Sequence, residues 1–469
     1  MPMQKFEPMT KDFPTFDCDA HVTEPPWIWE RAKDWLSTDE LEALKTTMWY
    51  DAETKQLIVN GIPGAGIGSQ RIGGARGKLN AISLAGPGLK HDIQRALYVR
   101  NLNRKTALSA EQADYLDHKG SYRPKERLRD MDVQGIDQVM IIPTDIVGAK
   151  AMCKAYNEWA YEYCQEDPQR LFFAALLPMQ DPKFAAQEVH RVAAKGCRVG
   201  LIRPVDAMGN YPLQPKYEPV WRAMEETGVV YGMHPFPAFG SLKPSGYAEQ
   251  YSGAELIART IISSGLPHSF LTNVQNFQAE AALWVTMVLM SGFFDRHPQL
   301  RAAVFEASST WLSFLLDRCD KFYKLYRNER ELPPLKRLPS ETFFEHCVTG
   351  FEGDEAPPSR DILAWSSDVY HHDGDDAWRA IKTMQTCGLP ASAQAQFLGA
   401  NARKLYHIET PREFIRERVT EIERPDWWPT EVEVQHALQP EAALIRPYRE
   451  RGRPVNGQAR AKGSEGGRV

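Results

Sequence analysis

Thr15-Phe16-Asp17-Cys18-Asp19-Ala20-His21 is an apolar, β-leaning run broken by two acids and a histidine. Residues two apart on a strand share a face, so Asp19 and His21 emerge together where the strand ends. A carboxylate and an imidazole in that placement are metal-ligand types. Seven comparable runs follow, at 138–142, 171–177, 199–202, 229–234, 300–306, 343–348 and 362–366. Such runs suit strands buried on both faces, as in a parallel sheet. Helix-like stretches lie between them, at 125–133, 149–166, 182–194, 216–226, 275–294, 310–326, 375–386 and 392–405. Strands alternating with helices about eight times predict an α/β fold, a (β/α)8 TIM-type barrel. A doubly wound open sheet is the alternative, but no glycine-rich turn follows the first run.

The 469 residues, 43% of them hydrophobic, suffice for one large barrel with additions. The reading divides the chain into an N-terminal segment 1–14, a barrel 15–410 with an insertion at 35–123, and a C-terminal extension 411–469. Within the insertion, residues 61–77 are glycine-rich and basic. They lack the GxxxxGK[ST] pattern of a phosphate loop, and a lid over the barrel mouth is the preferred reading. In the extension, 413–423 reads as a helix. The segments 426–429 and 445–454 read as an arm that wraps the barrel or a neighbour. The polar, glycine-rich end, 457–469, reads as disordered.

Lysine and arginine number 56 against 61 aspartates and glutamates, a net charge of −5. A mildly acidic chain without a long basic run argues against nucleic-acid binding. No stretch approaches the ~18 apolar residues of a membrane span. The first 13 residues have no apolar core of a signal peptide. The seven cysteines are scattered, with no CxxC pair, which predicts reduced thiols and a cytoplasmic protein. The paired Trp427 and Trp428 need a surface to cover them, which predicts an oligomer, homomeric or heteromeric.

Chemistry in such barrels sits at the C-terminal ends of the strands. The first strand ends at Asp19 and His21, the fifth at His234 and the sixth at Glu306. The eighth is followed by Asp368, His371 and His372. Two imidazoles and two or more carboxylates converging on one mouth make a metal site. Glu24, three residues past His21, adds a carboxylate near it or caps the following helix. The fourth strand ends at Arg203, suited to a bidentate bond with a substrate carboxylate or to a structural salt bridge.

The chain also resembles the aminocarboxymuconate-semialdehyde decarboxylase-like branch of the amidohydrolase superfamily. The resemblance rests on an ordered set: Phe16 to His21, Arg127-Leu128-Arg129-Asp130-Met131-Asp132, Gly135-Ile136-Asp137, Tyr156-Asn157-Glu158-Trp159, Arg170 to Pro178 and Tyr231 to Pro235. It continues through Phe294 to Leu300, Glu306 to Arg318, Ser367-Asp368 and Asn401 to Tyr406. It implies a distorted (β/α)8 barrel with one divalent metal. The family's HxH motif falls on Asp19 and His21, its fifth-strand histidine on His234, its eighth-strand aspartate on Asp368, and its sixth-strand histidine on Glu306. His371 matches a histidine found after that aspartate in many relatives. The carboxylated lysine of dinuclear hydrolases is replaced by Arg203.

The resulting expectation is a metal-dependent enzyme that decarboxylates or hydrolyses a small carboxylate-bearing, aromatic or non-aromatic substrate. Asp19, His21, His234 and Asp368 would hold Zn²⁺, Mn²⁺ or Fe²⁺. Asp368, His371 or Glu306 would handle protons, and Arg203, Arg71 or Arg76 would anchor the substrate carboxylate. One alternative is a non-haem dinuclear iron or manganese–iron oxygenase, as a few similar proteins are, with Glu24, Glu306, His371 and His372 at a second metal. Another is a non-catalytic barrel subunit of a hetero-oligomer.

Overall fold

Phe16–Val22 forms a strand buried along its whole length. The computed structural model that places it describes residues 3–22, 24, 27–51, 56–59, 62–63, 110–115, 118–144, 150–204, 211, 213–235, 268–329, 332–355, 362–370, 374–433 and 436. The readings of Arg71, Arg76, His371, His372, 445–454 and 457–469 lie outside the described residues. So does the glycine-rich stretch, apart from Ile62 and Pro63.

Eight parallel strands form one sheet: β1 (Phe16–Val22), β2 (Gln138–Pro143), β3 (Leu171–Leu176), β4 (Val199–Ile202), β5 (Val230–Met233), β6 (Ala302–Val304), β7 (Cys347–Glu352) and β8 (Leu363–Ser366). Each pairs with its neighbour in sequence order. β8 returns to β1, where the Asp368 N–H donates to the Asp19 carbonyl at 3.1 Å. The sheet is therefore a nearly closed TIM-type barrel. The reason lies in the runs themselves. β1, β2, β4, β5, β6 and β8 are buried at every position, and a strand apolar on both faces needs cover on both.

The cover is supplied by α1 (Pro124–Gln134), α2 (Lys150–Cys164), α3 (Pro182–Ala193), α4 (Glu218–Thr227), α5 (His268–Met290), α6 (Thr310–Tyr326), α7 (Pro339–His346) and α8 (Ala377–Thr386). Their ends follow local rules. Asp181 caps α3 by accepting from Phe184 N at 3.1 Å, and Asp376 caps α8 by accepting from Arg379 N at 2.7 Å. α1 stops at Gly135, whose φ of 75° is the left-handed C-terminal turn. A side chain there would also strike Trp378.

Two expectations are corrected. The strand predicted at 343–348 is mostly α7, and β7 begins only at Cys347. Pro339 opens that helix, and Glu341 reaches back to accept from Leu338 N at 3.0 Å, so the apolar pair Phe343-Phe344 falls on a helical turn. The helix predicted at 413–423 is extended chain instead. Lys11 N donates to Arg416 O, Arg418 N to Met9 O and Phe6 N to Thr420 O, and Met3–Lys5 pairs antiparallel with Glu421–Glu423. Those partners come from the other end of the chain, so local periodicity carries no trace of them.

The extension covers its own barrel. Trp428 is buried, packed edge-on to Tyr115 and under the Arg424 guanidinium. The Trp427 indole N–H donates to Glu111 at 3.2 Å. The surface that covers these two rings therefore belongs to the same chain, which removes the reason for inferring an oligomer from them. Among the described residues, no helix is long and apolar enough to cross a membrane. The seven cysteines are free thiols, six of them buried.

Candidate metal centre

β1 delivers Asp19 and His21 to the C-terminal mouth of the barrel. Its ladder with β2 shifts register between Asp17 and Ala20, the kind of irregularity that re-aims a side chain. His234 follows β5 directly, Glu306 lies two residues past β6, and Asp368 lies two past β8. The ligand atoms of Asp19, His21 and His234 all lie within 4.8 Å of one another. His21 Nε2 stands 3.6 Å from Asp19 Oδ1 and 3.5 Å from Asp368 Oδ1. His234 Nε2 stands 3.8 Å from Asp19 Oδ2 and 3.2 Å from Glu306 Oε2. The two rings meet at a near right angle, 5.4 Å apart. Asp19, His21, His234 and Asp368 are buried, and Glu306 is half-buried.

The hydrogen-bond partners set the tautomers. His234 Nδ1 lies 2.5 Å from the Pro235 carbonyl, which only accepts, so Nδ1 carries the proton. The Thr144 hydroxyl donates to the Val22 carbonyl at 2.7 Å, leaving its oxygen to accept from His21 Nδ1 at 3.4 Å. With Nδ1 held in this way, each ring can offer its Nε2 to a cation, as metal-binding imidazoles do when their other nitrogen is held. Two imidazoles among carboxylates at these separations fit a divalent cation of the Mn²⁺, Zn²⁺ or Fe²⁺ type.

Two of the acids sit on uncommon backbone. Asp368 has φ 53° and Glu306 φ 42°. A non-glycine residue in the left-handed region carries strain of about 1–3 kcal/mol, sustained here by the ends of β8 and β6. His407, with φ 52°, is by contrast an ordinary helix C-terminal turn.

Asp17 is engaged elsewhere. It accepts from the Ser367 amide at 2.9 Å and from the Ser367 hydroxyl, tying β1 to the end of β8. Burial pushes its carboxyl up to about 7, against the lowering effect of the Ser367 bonds. Glu24 is buried beyond β1 and outside the Asp19–His21–His234 cluster. Its charge adds to the burial that raises the Tyr156 hydroxyl well above the usual range. Arg203 follows β4 and is half-buried at the same mouth.

Sequence reasoning missed Thr144 and Arg127. Thr144 immediately follows β2, and a hydroxyl at a strand end was the available signal. Arg127 lies in the quoted Arg127–Asp132 motif but carried no assigned role. It is fully buried, and its guanidinium donates to the His21 carbonyl.

Residues 16–408 match the profile of the family described as Amidohydrolase. A gamma-resorcylate decarboxylase of Rhizobium radiobacter is 28% identical over 189 residues, which is 37% of this chain and 52% of that protein. The chain thus spans about half the length of the curated relatives it matches. Among solved structures, an amidohydrolase from Mycobacterium avium subsp. paratuberculosis superposes with a TM-score of 0.59 at 19% identity, covering 84% of this chain and 99% of its own. A 5-carboxyvanillate decarboxylase from Novosphingobium aromaticivorans, complexed with manganese and 4-hydroxy-3-methoxy-5-nitrobenzoic acid, superposes with a TM-score of 0.54 at 17% identity. It covers 84% of this chain and 96% of its own. At such identities these two structures speak to the fold.

Proposed function

The chain belongs to the amidohydrolase family, and from that premise we propose that it is a metal-dependent carboxy-lyase acting on a small aromatic carboxylic acid. The observation that carries this reading is the convergence of Asp19, His21 and His234, with Asp368 and Glu306 at their edge, on one mouth of the barrel. The gamma-resorcylate decarboxylase relatives supply the substrate class to test.

In this reading Asp19, His21, His234 and Asp368 hold one divalent ion. Bound there, such an ion would supply Lewis acidity toward the oxygens of the substrate. Loss of CO₂ breaks a carbon–carbon bond, and a proton must replace the carboxyl group on the same carbon. Glu306 is the group assigned to deliver it. Its side chain is 14% exposed, against 1% for Asp19 and 7% for Asp368, so it is the most open carboxylate of the set. A proton donor must reach the reacting atom before its acidity matters. Arg203 at the end of β4 is assigned to hold a substrate carboxylate or phenolate, which its planar fork suits.

The test is elemental analysis of protein purified without added metal, followed by incubation with carboxyl-labelled gamma-resorcylate and 5-carboxyvanillate. The expected result is about one ion per chain and release of labelled CO₂ that a chelator abolishes. Two irons per chain with oxygen consumption and a hydroxylated product would support the dinuclear oxygenase instead. Metal-dependent cleavage of an ester or amide without CO₂ would move the reaction to hydrolysis.

A further inference from the structure

Resting on that metal reading, we propose that Arg127 is a positioning residue of the centre, acting through the backbone of His21 and the ring of Tyr370. Arg127 is 2% exposed, which keeps it out of reach of a substrate. Four segments of the chain converge on its guanidinium. Nη2 donates to the main-chain carbonyl of His21, the ligand residue at the end of β1. Nε donates to the Gly120 carbonyl at 3.2 Å and to the Tyr163 hydroxyl at 3.3 Å. The guanidinium carbon lies 4.5 Å over the ring of Tyr370, two residues past Asp368.

The helix spacing makes this clamp possible. Arg127 and Asp130 are three apart on α1 and so face the same way. Asp130 accepts the Tyr370 hydroxyl while Arg127 covers its ring. Opposite, Gly120 leaves room for that hydroxyl, since a Cβ there would come within 1.9 Å of it. One turn of α1 therefore grips both segments that carry the ligands: the end of β1, with Asp19 and His21, and the segment after β8, with Asp368. Freed from this grip, the β1 and β8 ends keep the ladder with β2, the Asp368-to-Asp19 backbone bond and the Ser367 bonds to Asp17, but the His21 carbonyl loses the guanidinium that holds it. A lysine would retain the charge and lose the fork that reaches three acceptors and stacks on a ring.

The test uses full-length protein stripped of metal. Mn²⁺ binding is read from the free-ion electron paramagnetic resonance signal, and stability from melting of the metal-free protein. Arg127→Lys is expected to weaken Mn²⁺ binding about 10- to 100-fold, the usual cost of removing a group that supports a ligand. The control is Arg403→Lys, at the opposite end of the barrel. Arg403 likewise donates to backbone carbonyls of the β1 segment, Pro14 at 3.2 Å and Thr15 at 2.9 Å. That variant is expected to melt lower and to bind Mn²⁺ as the parent does. Parental affinity in Arg127→Lys overturns the proposal, as does an equal loss of affinity in Arg403→Lys. If Arg127→Lys does not fold, Tyr370→Leu decides: a loss of about tenfold supports the clamp, and parental affinity overturns it. A parent protein that takes up neither Mn²⁺ nor Zn²⁺ overturns the metal reading itself, an outcome distinct from a parent that binds and a variant that binds equally well.

Discussion

The two ends of the barrel both bury charge, and they do so in opposite ways. At the N-terminal end the Lys11 ammonium meets the Asp137 carboxylate, and both are buried. Asp137 also accepts from Thr15 N at 2.7 Å, the Thr15 hydroxyl at 3.1 Å and Ile415 N at 2.7 Å. Arg403 joins them through Pro14, Thr15 and Gln138. Charge there is answered by opposite charge and by backbone within the chain. At the C-terminal end Asp19, Glu306 and Asp368 gather around two imidazoles whose Nε2 atoms face the same space. Donors of one kind are collected there, and the natural counterpart is a cation from outside. The difference separates a knot that holds the chain together from a site that holds something else.

The largest effect expected from this contrast is at the upper end. His234→Ala should lower Mn²⁺ affinity beyond the roughly 100-fold that loss of a supporting group costs, and remove metal-dependent turnover with it. Melting of the metal-free protein should hold or rise, because the variant relieves a crowded cluster. Retained metal with lost stability would reverse the roles assigned to the two ends.

Asp137→Ala should do the converse. It leaves the Lys11 ammonium buried without its partner, at a cost of about 3–5 kcal/mol, read as a shift in the urea unfolding midpoint. Metal content of the folded fraction should match the parent. A fall in metal content would mean that the two ends are coupled along β1.

The smallest effect concerns pH. Burial, with Arg127 nearby, holds His118 down to about 3. Unfolded, it titrates near pH ~6.5. The unfolded chain therefore binds the extra proton between these values, and the stability His118 contributes is complete above about pH 6.5 and falls as the pH drops toward about 3. Asp130 acts with opposite sign. Burial raises it to about 6, so its contribution is present below about pH 4 and lost as the pH rises through about 6. His118→Gln should therefore lose less stability than the parent between about pH 7 and pH 5 in denaturant titrations. Parallel curves would show that His118 is not the group responsible.

How far the sequence could be read follows the same division. The run at 199–202 is reproduced residue for residue as β4, and 310–326 as α6, because apolar runs and helical spacing are local properties. Of the two errors, the one at 343–348 is local, since Pro339 and Glu341 open a helix there, and the other falls where the partner is distant. The 413–423 segment pairs with the N-terminal residues, and no window of the sequence contains both. Asp19, His21, His234, Glu306 and Asp368 were legible as strand-end residues of ligand type. Their separations, the tautomers fixed by Pro235 and Thr144, and the left-handed backbone at Glu306 and Asp368 were not.

Alternating apolar and amphipathic segments determined a (β/α)8 barrel, because each such run can bury its faces in only a few ways. The residue types at the strand ends determined that carboxylates and imidazoles would gather at one mouth. Only the tertiary structure decided that the Lys11–Asp137 pair and Arg403 lock the lower end, that Asp17 is taken up by Ser367, and that Arg127 reaches the backbone of His21. Each of these contacts joins residues far apart in the chain, and a bond of that kind exists only once closure of the barrel has brought its two groups within reach.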